Sequence, residues 1–203
     1  MLGIDPSEGQ LAFARTRLAG APVQFAQGDA MALPWPDASF DAAVMALVIF
    51  FVPEPARGVA EMARVVRPGG SVSTYAWDIP GDGFPFQALQ DEMAAFGTPP
   101  VWPPSADASR LDEMQRLWRD AGLIDLATHV ITVQRRFYDF EHFWRVAQTG
   151  PRLLPRFAAM TDHDLARLKD AVRSRFAVDA AGGITLSARA NAIRGRVPPA
   201  GQA

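Results

Sequence analysis

Two carboxylates stand where a chain could use them to hold a nucleoside. Asp5 closes the apolar run 1–4 and precedes Pro6, so it sits at the carboxyl end of a strand that stops at a loop. Ligands of doubly wound sheets bind outside such strand ends, and an acid there accepts hydrogen bonds from both hydroxyls of a ribose. Nicotinamide-dependent enzymes use the same device, and a strand-end Asp also simply starts turns, so all three readings stay open at this point. Asp29 follows the alternating stretch 23–27, in Gln27-Gly28-Asp29-Ala30-Met31-Ala32-Leu33-Pro34. Its carboxylate could accept from an adenine amino group, with Ala30 supplying backbone contacts and Met31 an apolar surface. The plain alternative is a Gly-Asp turn between two strands.

No residue is assigned to catalysis. His129, His142 and His163 are the candidate bases by pKa, but their places in a strand, on an apolar-sided helix and near a helix start suit surface or capping roles as well. Trp77, Phe84, Phe86, Trp102, Phe143 and Trp144 could line a site for a flat or apolar ligand, or could be core. Cys is absent, which excludes disulfides, thiolate metal sites and a cysteine nucleophile. No metal-ligand spacing occurs. Asp41 reads as an organiser of a strand entrance, and Arg64 and Arg67 as a solvated helix face.

The elements that would position these groups alternate. A strand to Ile4 leads to a helix opened by the capping-box spacing Ser7-Glu8-Gly9-Gln10, with Leu11, Ala14 and Leu18 on one face. Gly20 and Pro22 close it before the strand 23–27. Pro34 and Pro36 punctuate a loop into Phe40-Asp41 and the run 42–48, which is apolar enough for a strand buried on both faces. A helix beyond Pro53 carries Val59, Met62, Ala63 and Val66 and stops at Pro68-Gly69-Gly70; 71–77 is the next strand. Strands alternating with helices predict a parallel sheet covered by helices. Farther on, Ser109 is placed to cap a helix with Leu111, Met114, Leu117 and Trp118 that ends at Gly122. A strand is expected over 127–137, helices over 140–146 and 161–176, and a last strand over 184–197. The Gly- and Pro-bearing stretch 81–105 reads as flexible.

In their order and separation, Gly3-Ile4-Asp5-Pro6-Ser7, the run from Gln27 to Asp41, and Ala60-Glu61-Met62-Ala63-Arg64-Val65-Val66-Arg67-Pro68-Gly69-Gly70 resemble the class I S-adenosylmethionine-dependent methyltransferases. The likeness runs from about Leu2 to Trp77 and is closest to the small-molecule, type 11 or ubiquinone-biosynthesis-like branch. It implies a Rossmann-like, doubly wound, mostly parallel α/β sheet with a final antiparallel strand. It also implies S-adenosylmethionine as cofactor and a small-molecule methyl acceptor. Asp5 is then expected to hold the ribose, Pro6 to border the adenine pocket, Asp29 and Ala30 to read the adenine edge, and Ala46 to lie near the methionine part. Within the expected domain, 1–197, residues 1–77 form the cofactor-binding core, 78–183 a helical lid and substrate region with one strand, and 184–197 the last strand; 198–203 is a tail. More loosely, Gly183-Ile184-Thr185-Leu186-Ser187 through Arg194-Gly195-Arg196-Val197-Pro198 resembles the family's last strand.

The family's glycine-rich loop and its strand belong upstream of Leu2, and neither Gly69-Gly70 nor Gly182-Gly183 stands in the right context to replace them. That strand would run between the one ending at Asp5 and the one over 42–48. Without it, those two strands are expected either to expose edges or to pair directly. The expectation drawn is that Met1 is an internal or gene-model start, so that this chain is an N-terminally truncated part of a longer protein. The rival readings are an inactive truncated descendant acting as a non-catalytic binding module, and a nicotinamide-dependent enzyme, which would need the missing loop too.

At 203 residues with 49% hydrophobic content the chain is about one domain long. A net charge of -2 and the lack of any dense Lys/Arg run argue against nucleic acid or a membrane surface as partner. The start lacks a basic, long-apolar leader, and the run 42–52 is about half a membrane span, so a cytoplasmic protein is expected.

Overall fold

The computed structural model describes residues 1–100, 102–150 and 153–201, so part of the expected tail, 202–203, lies outside the described residues. By internal contacts the chain divides into two compact units. One comprises 1–76, 104–129 and 191–203, the other 77–103 and 130–190. No described helix is long and apolar enough to cross a membrane.

In the first unit, strand β1 (Leu2–Asp5) leads to helix α1 (Glu8–Arg17). Ser7 caps that helix as its spacing predicts, its hydroxyl accepting the Gln10 N–H, and Leu11 is the residue α1 buries. Strand β2 (Gln24–Gln27) pairs with β1 in parallel, Asp5 standing opposite Gln27. Strand β3 (Phe40–Ala46) and helix α2 (Pro55–Val65) follow, α2 burying Val59, Met62 and Val65 along one stripe. Strand β4 (Val66–Trp77) pairs with β3 in parallel. Helix α4 (Leu111–Asp120) turns Met114, Leu117 and Trp118 inward.

The second unit holds α3 (Gln87–Ala95), α5 (Phe140–Gln148), α6 (Leu154–Ala158) and α7 (Asp162–Ser174). Its core includes Leu89, Met93, Phe137, Phe143, Leu168 and Val172. Two long strands, β5 (Ile124–Phe137) and β6 (Ile184–Arg196), complete the chain.

The sheet is mostly parallel, with one antiparallel strand. A four-stranded sheet is ordered β3-β4-β6-β5, and β1 and β2 form a separate two-stranded sheet. The Val197 N–H donates to Gly70 O, and the Gly69 N–H to Val197 O, at one end of β4; the Asp78 N–H donates to Arg189 O at the other. Those pairings run β6 antiparallel to β4. Of the two outcomes expected for the strand ending at Asp5 and the strand over 42–48, the structure takes the first: among the described residues β1 and β3 do not pair, and each keeps an open edge.

Three sequence expectations need correction. The run over 42–48 is not buried on both faces. Met45 is 7% exposed, but Val44 is 65% exposed, and Ala42 and Ala46 flank it on the open face. Apolar composition records that a strand can be covered and not which neighbour covers it. Val44→Thr is therefore expected to shift stability by no more than about 0.5 kcal/mol. A chemical-denaturation curve displaced by several times that would show the face to be covered. Second, Pro68-Gly69-Gly70 does not stop α2, which ends at Val65; it forms an irregularity inside β4, where the register with β3 shifts between Phe40 and Ala42. Gly70 is required there, because a Cβ would lie 2.6 Å from the Asp41 carbonyl oxygen. Third, the stretch expected to be flexible holds α3, and Ser109 does not cap α4: its hydroxyl donates to Ala106 O, leaving Arg110 at the helix start.

Candidate functional site

Asp5 and Asp29 come to the carboxyl ends of neighbouring parallel strands, Asp29 lying two residues beyond Gln27, the partner of Asp5. Each carboxylate is held in the same manner. Asp5 Oδ1 accepts the Ser7 N–H at 2.8 Å, and Asp29 Oδ1 accepts the Met31 N–H at 2.8 Å. Such local turns fix a side chain against its own backbone and leave Oδ2 with no protein partner among the described residues. Two pre-oriented acceptors thus stand open at one end of one strand pair. They suit donors such as hydroxyls and an amino group. Pro6 and Ala30 lie within the same turns, and the Pro6 carbonyl accepts from the Gln27 side-chain Nε2 at 3.0 Å, tying the two strand ends together.

Ala46 lies elsewhere. It is the last residue of β3, opposite Tyr75, in the other sheet. Immediately after it Leu47 adopts a φ of 56°, its N–H donating to Tyr75 O at 2.8 Å. A branched side chain in the left-handed region carries backbone strain, and here it turns the chain sharply away from the strand end. Asp5, Pro6, Asp29 and Ala30 are therefore gathered, while Ala46 is on a separate element of the same unit.

Sequence reasoning missed the brace behind Asp29. Arg64, read as part of a solvated face, is only 31% exposed in its side chain. It donates to Leu33 O, Trp35 O, Asp37 Oδ1 and both oxygens of Glu61, while Glu61 also accepts the Leu33 N–H. The Glu61–Arg64 pair on α2 thereby pins the loop that leaves Asp29. Its i,i+3 spacing was the visible signal. Arg67 is exposed as expected and pairs with Asp41 at 2.5 Å, but it lies in β4 and not on the helix.

The hydrogen bond from Arg64 holds the Glu61 carboxyl below its ordinary value of 4.5. A lowered folded pKa contributes stability that is complete above the unfolded value and is lost as pH falls through the folded one. The melting temperature of Arg64→Met is accordingly expected to fall below that of the parent chain at neutral pH, the two converging well below the unperturbed 4.5. Melts that stay equally far apart at both ends of the range would show that the pair is not the brace.

In the second unit the expected aromatic site divides. Phe143 and Trp144 are core, at 0% and 5% exposed, whereas Phe84 and Phe86 are half-buried, and Phe84 meets Trp102 edge-on at 5.9 Å. His129 and His163 are exposed; His142 stacks on Tyr138 at 5.0 Å.

Comparison with known proteins bears on this arrangement. Residues 1–74, which contain all five candidate cofactor residues, match the family model described as a methyltransferase domain. The demethylmenaquinone methyltransferase of Desulfitobacterium hafniense is 46% identical over 74 residues, 34% of this chain and 29% of that protein. The phosphatidylethanolamine N-methyltransferase of Cereibacter sphaeroides is 38% identical over 104 residues, 49% of this chain and 51% of its own length. The chain thus spans between about a third and a half of these relatives. Among solved structures, a putative methyltransferase of Bacillus halodurans superposes with a TM-score of 0.57 at 19% identity, covering 97% of this chain and 82% of the other. That likeness extends the fold assignment over nearly the whole chain.

Proposed function

We propose that the chain is a class I S-adenosylmethionine-dependent methyltransferase of the type 11 branch, that its first unit grips the adenosine of S-adenosylmethionine, and that the protein transfers the methyl group to a small-molecule acceptor; the methyltransferase-domain match over residues 1–74 supports this. The observation that carries this reading is the pair of strand-end carboxylates, each with one oxygen locked by its own turn and the other without a partner among the described residues. Asp5 Oδ2 accepts the ribose hydroxyls, and Asp29 Oδ2 accepts from the adenine amino group. Pro6 borders the ring, and the Ala30 backbone completes the adenine edge. Ala46, at the end of β3, lies toward the methionine part.

The cofactor, when bound, offers a methyl group on a sulfonium, whose departure as a neutral thioether needs no protonation. The chain's residues therefore have to position rather than to donate protons. Alignment alone lowers a barrier by several kcal/mol, with about 7–11 kcal/mol available from full orientation. The Glu61–Arg64 brace serves that end by fixing the loop that follows Asp29. We further propose that the protein works in the cytoplasm, and that its substrate region lies within 78–183. The open edges of β1 and β3 support the view that one more strand completes the cofactor site.

Calorimetric titration with S-adenosylhomocysteine and with NAD tests the reading. Micromolar binding of the first, about -8 kcal/mol, with at most weak binding of NAD is expected. NAD preferred over S-adenosylhomocysteine, or no binding of either, would overturn it.

A further inference from the structure

The edge of a sheet offers unpaired N–H and C=O groups to any strand that reaches it, and proteins ordinarily blunt it with charges, proline, a bulge or a covering element. Strand β5 ends the four-stranded sheet, with β6 on one side and no strand on the other among the described residues. Successive strand residues point to opposite faces. In β5, residues 127–130 and 132–136 are exposed without a break, so neither face is covered there. The middle of this edge carries none of the usual defences. Its nine residues Leu126-Ala127-Thr128-His129-Val130-Ile131-Thr132-Val133-Gln134 include no Lys, Arg, Asp, Glu, Pro or Gly. Val130 and Val133, within the β-branched run, are each 42% exposed. Such a segment favours pairing with another strand.

The charges stand only at its two ends. Asp125 precedes the run, with a φ of 52° that Asp tolerates, and Arg135 and Arg136 follow it. Arg136 is engaged by Asp179 at 2.8 Å. Asp125 and Arg135 have no ion-pair partner among the described residues, and the Arg135 guanidinium lies 4.7 Å from the centre of the Phe137 ring. These ends select the occupant. A second β5 laid antiparallel about a two-fold axis at Val130 sets each Asp125 against the partner's Arg135, with Thr128 opposite the partner's Thr132. A parallel copy would set acid against acid and cation against cation, which opposes pairing. The antiparallel arrangement uses the same edge of both copies and closes at two chains. The edge of β3 offers no such match, because its one acid, Asp41, is taken by Arg67.

We propose that the outer edge of β5 is a docking surface for a second copy of this chain, joined antiparallel by backbone hydrogen bonds and fastened at both ends by Asp125 and the partner's Arg135. This surface uses none of the residues of the methyltransferase reading and stands whether or not that reading does.

Sedimentation velocity on the full chain from about 10 µM to about 1 mM tests it, since one strand edge gives an interface of the small, weak class. A monomer–dimer equilibrium is expected, with slower amide hydrogen exchange over 126–134 in the dimer. Arg135→Glu sets carboxylates against each other at both ends and is expected to weaken the dimer at least about tenfold. Adding Asp125→Asn, which suits the same backbone, is expected to restore part of that loss. Val130→Lys places two ammonium groups at the two-fold axis and is expected to weaken the dimer likewise; it decides if Arg135→Glu proves misfolded by circular dichroism. A chain that stays monomeric throughout the range, a dimer indifferent to the folded variants, an assembly that grows beyond two chains, or slowed exchange over 42–46 in place of 126–134 overturns the proposal.

Discussion

Trp118→Ala is expected to destabilise the first unit by about 3–5 kcal/mol, a large share of the total for a domain of this size. The residue is completely buried, and its indole N–H donates to Val72 O in β4 at 3.1 Å. The backbone is shaped around it: a Cβ at Gly195 of β6 would lie 2.8 Å from Trp118 Cδ1 and 2.8 Å from Leu126 Cδ2. Truncation thus opens a cavity that glycine-lined backbone cannot easily fill, and it strips a buried carbonyl of its donor. Urea unfolding followed by far-ultraviolet circular dichroism measures the loss. A change below about 1 kcal/mol would mean that the indole is not in the core.

Asp5→Asn and Asp29→Asn carry the second large effect, and this one falls on binding. An asparagine oxygen can still accept the Ser7 or Met31 N–H and preserve the turn, whereas the free carboxylate oxygen becomes an amide that offers hydrogens to a donor. Hydrogen bonds to charged groups are worth about 1.5–3 kcal/mol, so each substitution is expected to weaken S-adenosylhomocysteine about 10- to 100-fold with little change in melting temperature. Calorimetry and thermal melts on the same samples separate affinity from folding. Unchanged affinity in either variant would remove that residue from the site.

How much of this was legible in the residues follows from what local chemistry encodes. The Ser7 cap of α1, the apolar stripes of α2 and α4, and the alternation of the first strands and helices are short-range properties, and they appear where the sequence predicts, although the Ser7 N–H goes to Asp5 Oδ1 and not back to Gln10. So does the antiparallel β6, through its likeness to a family strand. Val44 shows the limit: its apolar run specifies a strand that can be covered, yet only tertiary neighbours decide whether one face is. Gly69-Gly70 reads as a helix stop because glycine tolerates both a reversal and a strand irregularity, and the Asp41 carbonyl that selects between them comes from another strand. Helix α3 is masked by the glycines before it, although Leu89 and Met93 have helical spacing. Those glycines serve the pair Arg189–Asp78, at 2.7 Å, around which the loop after β4 closes. Arg64 looks like surface because nothing local reveals the carbonyls of Leu33 and Trp35 arriving from a distant loop. Asp5 and Asp29 were readable as strand-end acids; their identical locks to Ser7 and Met31 were not.

Those locks provide the most direct measurement of the central claim, that one adenosine is held jointly by the ends of β1 and β2. The backbone amides of Ser7 and Met31 donate to the two carboxylates and report on them individually. In nitrogen–proton correlation spectra recorded during titration with S-adenosylhomocysteine, both amide signals should move together and yield one dissociation constant. Movement of only one of them, or of neither while the ligand binds, would contradict it.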